Sequence, residues 1–173
     1  MDEPALVELA GRFAQRLAPP LVLYLEGDLG AGKTTFVRAL LRALGYEGAV
    51  KSPTYGLLEL YDLPRPNPEP LLDSGASPSG GMAPEGRLQV IHLDLYRIAD
   101  PGEVEYLGLA DLLDGRSILC VEWPEQGGGA LPAPDLVLAL EESVLAGPPT
   151  RDVHAYAYSD SGIKLCELID LTL

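Results

Sequence analysis

Eight consecutive residues, 27 to 34, have the composition and spacing of a loop that binds phosphate groups. They read Gly27-Asp28-Leu29-Gly30-Ala31-Gly32-Lys33-Thr34. Glycines allow backbone N–H groups to point at an anion, and a helix that begins at the loop adds the positive end of its dipole. In such a loop the lysine reaches the β- and γ-phosphates, and the hydroxyl that follows it binds magnesium. We therefore expect ATP and Mg²⁺ to bind at Lys33 and Thr34.

The other expected nucleotide contacts come from the same segment. Backbone amides of the loop would face the α- and β-phosphates, and Thr35 is a further candidate for the α-phosphate. The expected binding residues are Asp28, Leu29, Gly30, Ala31, Gly32, Lys33, Thr34 and Thr35.

Two carboxylates in apolar runs are candidates for the rest of the site. Asp94 lies in Val90-Ile91-His92-Leu93-Asp94-Leu95-Tyr96-Arg97, and Glu122 ends Ile118-Leu119-Cys120-Val121-Glu122. The loop provides one protein ligand to magnesium and nothing that orients an attacking water, so a further acid is needed. A buried carboxylate is costly without a cation or hydrogen bonds. From the residues alone, each acid either belongs to the magnesium site or simply meets solvent at a strand end.

Two histidines are interpreted without a catalytic role. His92 alternates with Asp94, so both side chains should point to the same face of a strand. We interpret His92 as a structural residue and His154, in an alternating run, as a surface residue.

The residues on either side of the glycine loop predict a strand before it and a helix after it. Leu21–Glu26 is a short apolar run, typical of a parallel strand covered on both faces. From Thr34 to Leu44 apolar residues recur at helical spacing, and Gly45 provides a left-handed stop. An earlier amphipathic helix, with Leu6, Leu9, Ala10, Phe13 and Leu17 on one face, ends before Pro19-Pro20.

Further runs predict the remaining elements of an α/β fold. A short helix should begin with a cap at Asp100 and run to about Leu107. Gly127-Gly128-Gly129 is interpreted as a flexible turn, and the Pro-, Gly- and Ser-rich stretch Asp62–Arg87 as an inserted loop. Strands are predicted at Tyr55–Tyr61, Leu88–Leu95, Ser117–Glu122, Asp135–Glu141 and Arg151–Tyr158. This order predicts a P-loop NTPase-like three-layer sandwich, with a largely parallel central sheet and some antiparallel strands.

Composition restricts the classes of partner and the compartment. At 173 residues, of which 47% are hydrophobic, we expect a single domain over residues 1–173. The net charge of −14 disfavours direct binding of RNA or DNA. The acidity indicates either a solvated surface or electrostatic complementarity to a basic protein partner. No apolar run is long enough to span a bilayer and the amino terminus is acidic, so we expect a cytoplasmic protein. Cys120 and Cys166 have no metal-ligand spacing and are interpreted as core residues.

Four motifs together resemble the TsaE family (also called YjeE), the ATPase of bacterial tRNA threonylcarbamoyladenosine synthesis. They are Glu26 to Thr35, Ser52-Pro53-Thr54-Tyr55, His92 to Arg97, and Glu122-Trp123-Pro124-Glu125. The resemblance runs from about Leu21 to Glu141. Two departures are visible: Tyr55 stands where phenylalanine is common, and the Asp62–Arg87 loop is longer than the family suggests.

The resemblance implies roles for particular residues. Thr54 looks like the switch-type threonine that approaches magnesium or the γ-phosphate; without the family it would be a turn residue before a strand. Asp94 looks like the acid that orders the magnesium shell or the attacking water, and Glu122 like the magnesium-site carboxylate, although their division of labour stays open. Trp123 would lie beside the nucleotide. Implied catalytic residues are Lys33, Thr54, Asp94 and Glu122, with Thr34, Thr54, Asp94 and Glu122 near the metal.

The resemblance also implies partners. The chain would hydrolyse ATP in complex with the TsaB and TsaD proteins, and TsaD would transfer the threonylcarbamoyl group to adenosine 37 of tRNA. Because no arginine is obviously placed as a transition-state finger, we expect weak hydrolysis by the isolated chain.

Two other functions use the same loop. A small-molecule kinase commonly has an arginine-bearing lid, and Arg65 and Arg87 bracket the long loop. A GTP-driven switch needs an Asn-Lys-x-Asp segment, whereas the single asparagine, Asn67, lies in the Pro-rich stretch.

Overall fold

A six-stranded mixed sheet lies at the centre of the protein, with the strand order β2-β3-β4-β1-β5-β6. The computed structural model describes residues 1–50, 53, 56–64, 87–143 and 150–169. The strands are β1 (Leu21–Glu26), β2 (Leu58–Pro64), β3 (Arg87–Asp94), β4 (Ser117–Glu122), β5 (Leu136–Glu142) and β6 (Arg151–Ala157). The α-helices are α1 (Glu3–Arg16), α2 (Lys33–Ala43), α3 (Gly102–Glu105), α4 (Leu109–Leu112) and α5 (Asp160–Leu168).

The four inner strands are parallel, and the two edge strands are antiparallel. β1 pairs in parallel with β4 and β5, and β3 pairs in parallel with β4. β2 runs antiparallel to β3, and β6 antiparallel to β5. The carboxyl ends of β1, β3 and β4 therefore meet at one edge of the sheet, which is where ligands bind in open α/β sheets. The predicted fold class is confirmed.

Helices cover both faces of the sheet. On one face α1, α2 and α5 bury a large apolar core, in which the rings of Phe13 and Phe36 meet edge to face with centroids 5.3 Å apart. On the other face α3 and α4 bury Val104 and Leu109 against Leu119 and Val121 of β4. Every residue of β4 is buried, which explains its continuous apolar run.

Local signals account for the helix that begins the chain. The side chain of Asp2 accepts a hydrogen bond from the Ala5 N–H at 3.0 Å, and proline occupies the first turn. This cap satisfies one of the free N–H groups of α1, and Leu6, Leu9 and Phe13 bury its inner face. Within the described part of the chain, no helix has the length and apolar character needed to cross a membrane.

The predicted strands and helices need some corrections. β2 continues to Pro64 and pairs with β3 as far as Arg87, so residues 62–64 and 87 belong to a hairpin and not to the inserted loop. Leu63 is 1% exposed, and this burial favours continued pairing. The predicted helix at Asp100–Leu107 is limited to α3, and its cap position is Pro101 and not the predicted Asp100. The Asp100 Oδ1 accepts a hydrogen bond from the Gly102 N–H at 2.9 Å, just before the helix. Residues 65–86 of the predicted loop lie outside the described residues.

Other differences lie after β4 and near the carboxyl end. The three glycines at 127–129 are not a flexible turn; they belong to two short 3₁₀ segments over Pro124–Ala130 that meet at Gly128. Gly127 is buried, and a Cβ there would lie 2.6 Å from Leu131. Helices α4 and α5 were not predicted. Cys120 and Cys166 are buried free thiols, as expected, and burial raises the pKa of Cys120 to about 12.

We predict that Phe13→Ala lowers the free energy of unfolding by about 3–5 kcal/mol, because it opens a cavity beneath α1 next to Phe36. The matched control is Val7→Ala on the same helix, where the side chain is 45% exposed and the change should stay within about 0.5 kcal/mol. Urea titration followed by circular dichroism measures both values. Equal effects of the two substitutions would contradict the packing described.

Candidate functional site

The glycine loop joins the end of β1 to the first turn of α2 in a conformation that three glycines allow. Gly27, Gly30 and Gly32 have φ angles of 129°, 88° and 110°. A Cβ on Gly27 would lie 2.1 Å from the Leu140 carbonyl oxygen of β5. Position 27 therefore has no room for any side chain larger than the hydrogen of glycine. The loop is thereby held against the sheet with α2 beginning at Lys33, which presents free backbone N–H groups at the helix start.

The Lys33 side chain folds back over the loop. Its Nζ donates hydrogen bonds to the carbonyl oxygens of Gly27 at 2.5 Å and Asp28 at 2.9 Å. The same ammonium lies 3.9 Å from the centroid of the Trp123 ring, in a cation–π contact. Burial lowers the pKa of Lys33, and the nearby carboxylates of Glu122, Glu125, Asp94 and Asp28 oppose that shift. The cation is thus held next to the loop by groups that a phosphate can replace.

Trp123 reaches this position through an unusual backbone turn. Directly after β4 it adopts φ 59° and ψ 50°, a left-handed conformation that costs a non-glycine residue of order 1 kcal/mol or more. Its ring packs against Tyr96, with centroids 5.0 Å apart. Two aromatic rings from the ends of neighbouring strands therefore form one wall beside Lys33.

Glu122 is bound from two elements at the end of β4. Its Oε2 accepts a hydrogen bond from the Thr34 hydroxyl of α2 at 2.8 Å, and its Oε1 lies 2.8 Å from Nε2 of His92 on β3. The residue is 2% exposed. The sequence left open that this acid meets solvent; the structure instead places it inside the protein, beside the hydroxyl expected to bind magnesium.

Asp94 lies beside Glu122 because the parallel register of β3 and β4 aligns the two residues. It is 3% exposed, and its Oδ1 accepts from the Tyr96 N–H at 3.1 Å. The Leu95 N–H in turn donates to the Glu122 carbonyl at 3.1 Å, which ties the ends of the two strands together. Both acids therefore face the glycine loop from the same sheet edge.

These groups line one cavity of about 410 Å³. The residues predicted from the sequence that line this cavity are Leu29, Gly30, Gly32, Lys33, Thr34, Thr35, Asp94, Glu122 and Trp123. Two other predicted binding residues belong to the loop without lining the cavity. The Asp28 carbonyl oxygen accepts a hydrogen bond from Lys33, and Ala31 is buried at 1% exposure. Thr54 lies outside the described residues.

Three residues that the sequence analysis did not assign to the site contact it. Tyr96 and Arg97 line the cavity, and His92 touches Glu122. Arg97 bears on the expectation that no arginine is obviously placed as a transition-state finger, because it lines the cavity. All three residues belong to the motif from His92 to Arg97, so the sequence did mark this segment. Residue type and spacing could not predict which of its side chains turn toward the loop.

The donor atoms at this edge suit a magnesium ion. Mg²⁺ prefers oxygen ligands and is usually held by one or two protein groups together with phosphate oxygens and waters. The Thr34 hydroxyl and the carboxylates of Glu122 and Asp94 provide such oxygens around one cavity. Among the residues that the structure describes, no group of three or more His, Cys, Asp and Glu side chains could enclose a metal by itself. The arrangement fits a cation shared with a nucleotide.

The sheet order and the loop between β1 and α2 define an α/β protein of the P-loop fold. The family model described as threonylcarbamoyl adenosine biosynthesis protein TsaE matches residues 1–151. A match over that span shows the family, so this chain belongs to the TsaE family, which acts in tRNA threonylcarbamoyladenosine biosynthesis.

Individual relatives agree with this assignment. The TsaE protein of Haemophilus influenzae is 37% identical over 145 residues, which are 81% of this chain and 78% of the relative. The TsaE protein of Bacillus subtilis is 32% identical over 166 residues, or 96% and 86% of the two chains. The crystal structure of YdiB from Bacillus subtilis superposes with a TM-score of 0.68 at 26% identity, covering 98% of this chain and 90% of that one.

We predict that Gly27→Ala destabilises the protein more than Gly30→Ala. Both residues have positive φ, so each alanine incurs left-handed strain of about 1–2 kcal/mol. Only the alanine at position 27 would also overlap the Leu140 backbone; at position 30, a Cβ would have no atom of the described residues within 4 Å beyond its chain neighbours. Urea unfolding of the two variants measures the difference. Equal destabilisation would show that the contact with β5 does not constrain the loop.

Proposed function

We propose that this chain hydrolyses ATP to ADP and phosphate, with magnesium, in support of tRNA threonylcarbamoyladenosine synthesis. The family assignment supports the pathway, and the loop supports the nucleotide. The observation that carries the proposal is the meeting of Lys33, Thr34 and Glu122 at the start of α2, where a buried ammonium, a hydroxyl and a carboxylate share one cavity.

In this proposal the phosphates replace the present partners of Lys33. Its Nζ now donates to two loop carbonyls, and phosphate oxygens offer stronger, charge-assisted acceptors in their place. Backbone N–H groups of residues 28–35 bind the α- and β-phosphates, while the positive end of α2 adds to the favourable field.

Thr34 and Glu122 would hold the magnesium ion. Held by these two side chains, the ion would supply positive charge that offsets the negative charge of the phosphates. Their existing hydrogen bond already places the two oxygens side by side. Asp94, on the neighbouring strand, is proposed to accept a hydrogen bond from the attacking water or from water of the metal shell. Thr54 is proposed as the switch-type residue near the γ-phosphate, by resemblance to the family.

The proposed partners are the TsaB and TsaD proteins, and the proposed compartment is the cytoplasm. The net charge of −14 supports docking on proteins over direct contact with tRNA phosphates. Threonylcarbamoyl transfer would belong to TsaD, and this chain would supply ATP hydrolysis to the complex.

We predict that Lys33→Ala lowers the rate of ATP hydrolysis by about 10² to 10³-fold, the size expected for removing one preorganised donor from a transition state. Binding of MgADP, measured by titration calorimetry, should weaken as well. The control is Lys164→Ala on α5, an exposed lysine far along the chain, which should match the wild type. Full activity of Lys33→Ala would refute the assignment of the loop.

We predict that adding the TsaB–TsaD pair increases the ATPase rate of the wild type and leaves Lys33→Ala inactive. Phosphate release with and without the pair measures the effect. A rate that the pair cannot raise would contradict the proposed complex. Phosphate found on a metabolite would instead indicate a kinase, and preferential competition by GTP would indicate a guanine-dependent switch.

A further inference from the structure

Both carboxylate oxygens of Glu122 are held, one from each side. Thr34 donates to Oε2 from the first turn of α2, and His92 contacts Oε1 from β3, each at 2.8 Å. Rotation about the last bond of a glutamate side chain is otherwise soft. Two bonds to two different oxygens therefore fix the plane of this carboxylate.

The hydrogen-bond pattern determines which nitrogen of His92 carries a proton. A carboxylate oxygen accepts, so Nε2 is the donor toward Glu122. Nδ1 is buried and has no hydrogen-bond partner among the described residues. A bare acceptor nitrogen at that position is less costly than an N–H without an acceptor, since an acceptor lone pair is more readily left unsatisfied than a donor. The Nε2–H tautomer of the ring is thus the form that fits this environment.

His92 is not placed as a simple core residue. It is 0% exposed. In the parallel register of β3 and β4 it lies opposite Cys120, which is two residues before Glu122 and therefore on the same face of β4. A residue needed only to fill this space could be apolar, since an unsatisfied polar atom in a core is costly. Within the described part of the chain, one nitrogen of the imidazole has no partner, and the polar contact of the other is directed at Glu122.

We infer that His92 is a positioning residue for the cation side of the site: its Nε2–H orients the Glu122 carboxylate beside the Thr34 hydroxyl. The inference rests on the proposed function and extends it, because it assigns a role to a residue that is not among those lining the cavity. Groups that orient metal-binding carboxylates typically contribute 10- to 100-fold to metal affinity or activity. The role requires a donor at the position of Nε2 and none at Nδ1.

Two polar substitutions separate these positions. In His92→Gln the amide nitrogen can take the place of Nε2, whereas in His92→Asn the shorter side chain places its amide near the position of Nδ1. The readout is the affinity for ADP measured by calorimetry, once with saturating Mg²⁺ and once with EDTA. The ratio of the two dissociation constants reports the coupling between nucleotide and cation without requiring hydrolysis. His154→Asn, at an exposed histidine of β6, is the matched control.

The expected result is a drop of about 10- to 100-fold in the coupling ratio for His92→Asn, with ADP affinity in EDTA within about twofold of the wild type. His92→Gln should recover most of the ratio, and His154→Asn should leave it unchanged. A normal ratio in His92→Asn, equal losses in both variants, or failure of both to fold would overturn the inference and leave His92 a structural residue. A wild type that binds no ADP, or shows no dependence on Mg²⁺, would instead refute the proposed function itself.

Discussion

A carboxylate buried beside a loop built to receive anions is the constraint on which the rest of the site depends. Glu122 is buried at the end of β4 and lines the same cavity as the glycine loop, whose backbone amides are proposed to bind phosphate. Two negative groups can share such a volume only if cations and hydrogen bonds compensate them. Thr34, His92 and the nearby Lys33 provide the compensation within the chain, and a divalent ion would complete it when nucleotide binds.

The fold is arranged to meet this requirement. β4 is central and buried along its whole length, so its last residue reaches the site without exposure to bulk water. The parallel register with β3 brings Asp94 and His92 to the same face, and β1 delivers the glycine loop from the other side of β4. Gly27 packs against the Leu140 backbone of β5, and this contact fixes the position of the loop relative to the sheet. The end of β3 therefore adds an acid to the cavity and β1 leads into the glycine loop, while β5 contacts that loop at Gly27.

The site also contains the elements of a response to ligand. In the structure described, Lys33 is satisfied by two loop carbonyls and by the face of Trp123. In the proposed function, phosphate oxygens would replace the two loop carbonyls as partners of Lys33. The Trp123 ring lies beside this ammonium, in a left-handed turn next to Tyr96.

Local patterns in the sequence predicted the strand, loop and helix around residues 21–44, the burial of β4 and the candidate acids. They could do so because glycine spacing, helical periodicity and apolar runs depend only on residues close together in the chain. Pairing between distant segments decided the remainder. The extension of β2 to Pro64 depends on β3, the short 3₁₀ segments at 124–130 depend on packing against Leu131 and Leu95, and α5 follows a serine cap at Ser159 that also bonds Asp135. Most clearly, the contact of His92 with Glu122 exists only because two strands 30 positions apart lie in parallel register, and no spacing along one strand could specify that neighbour.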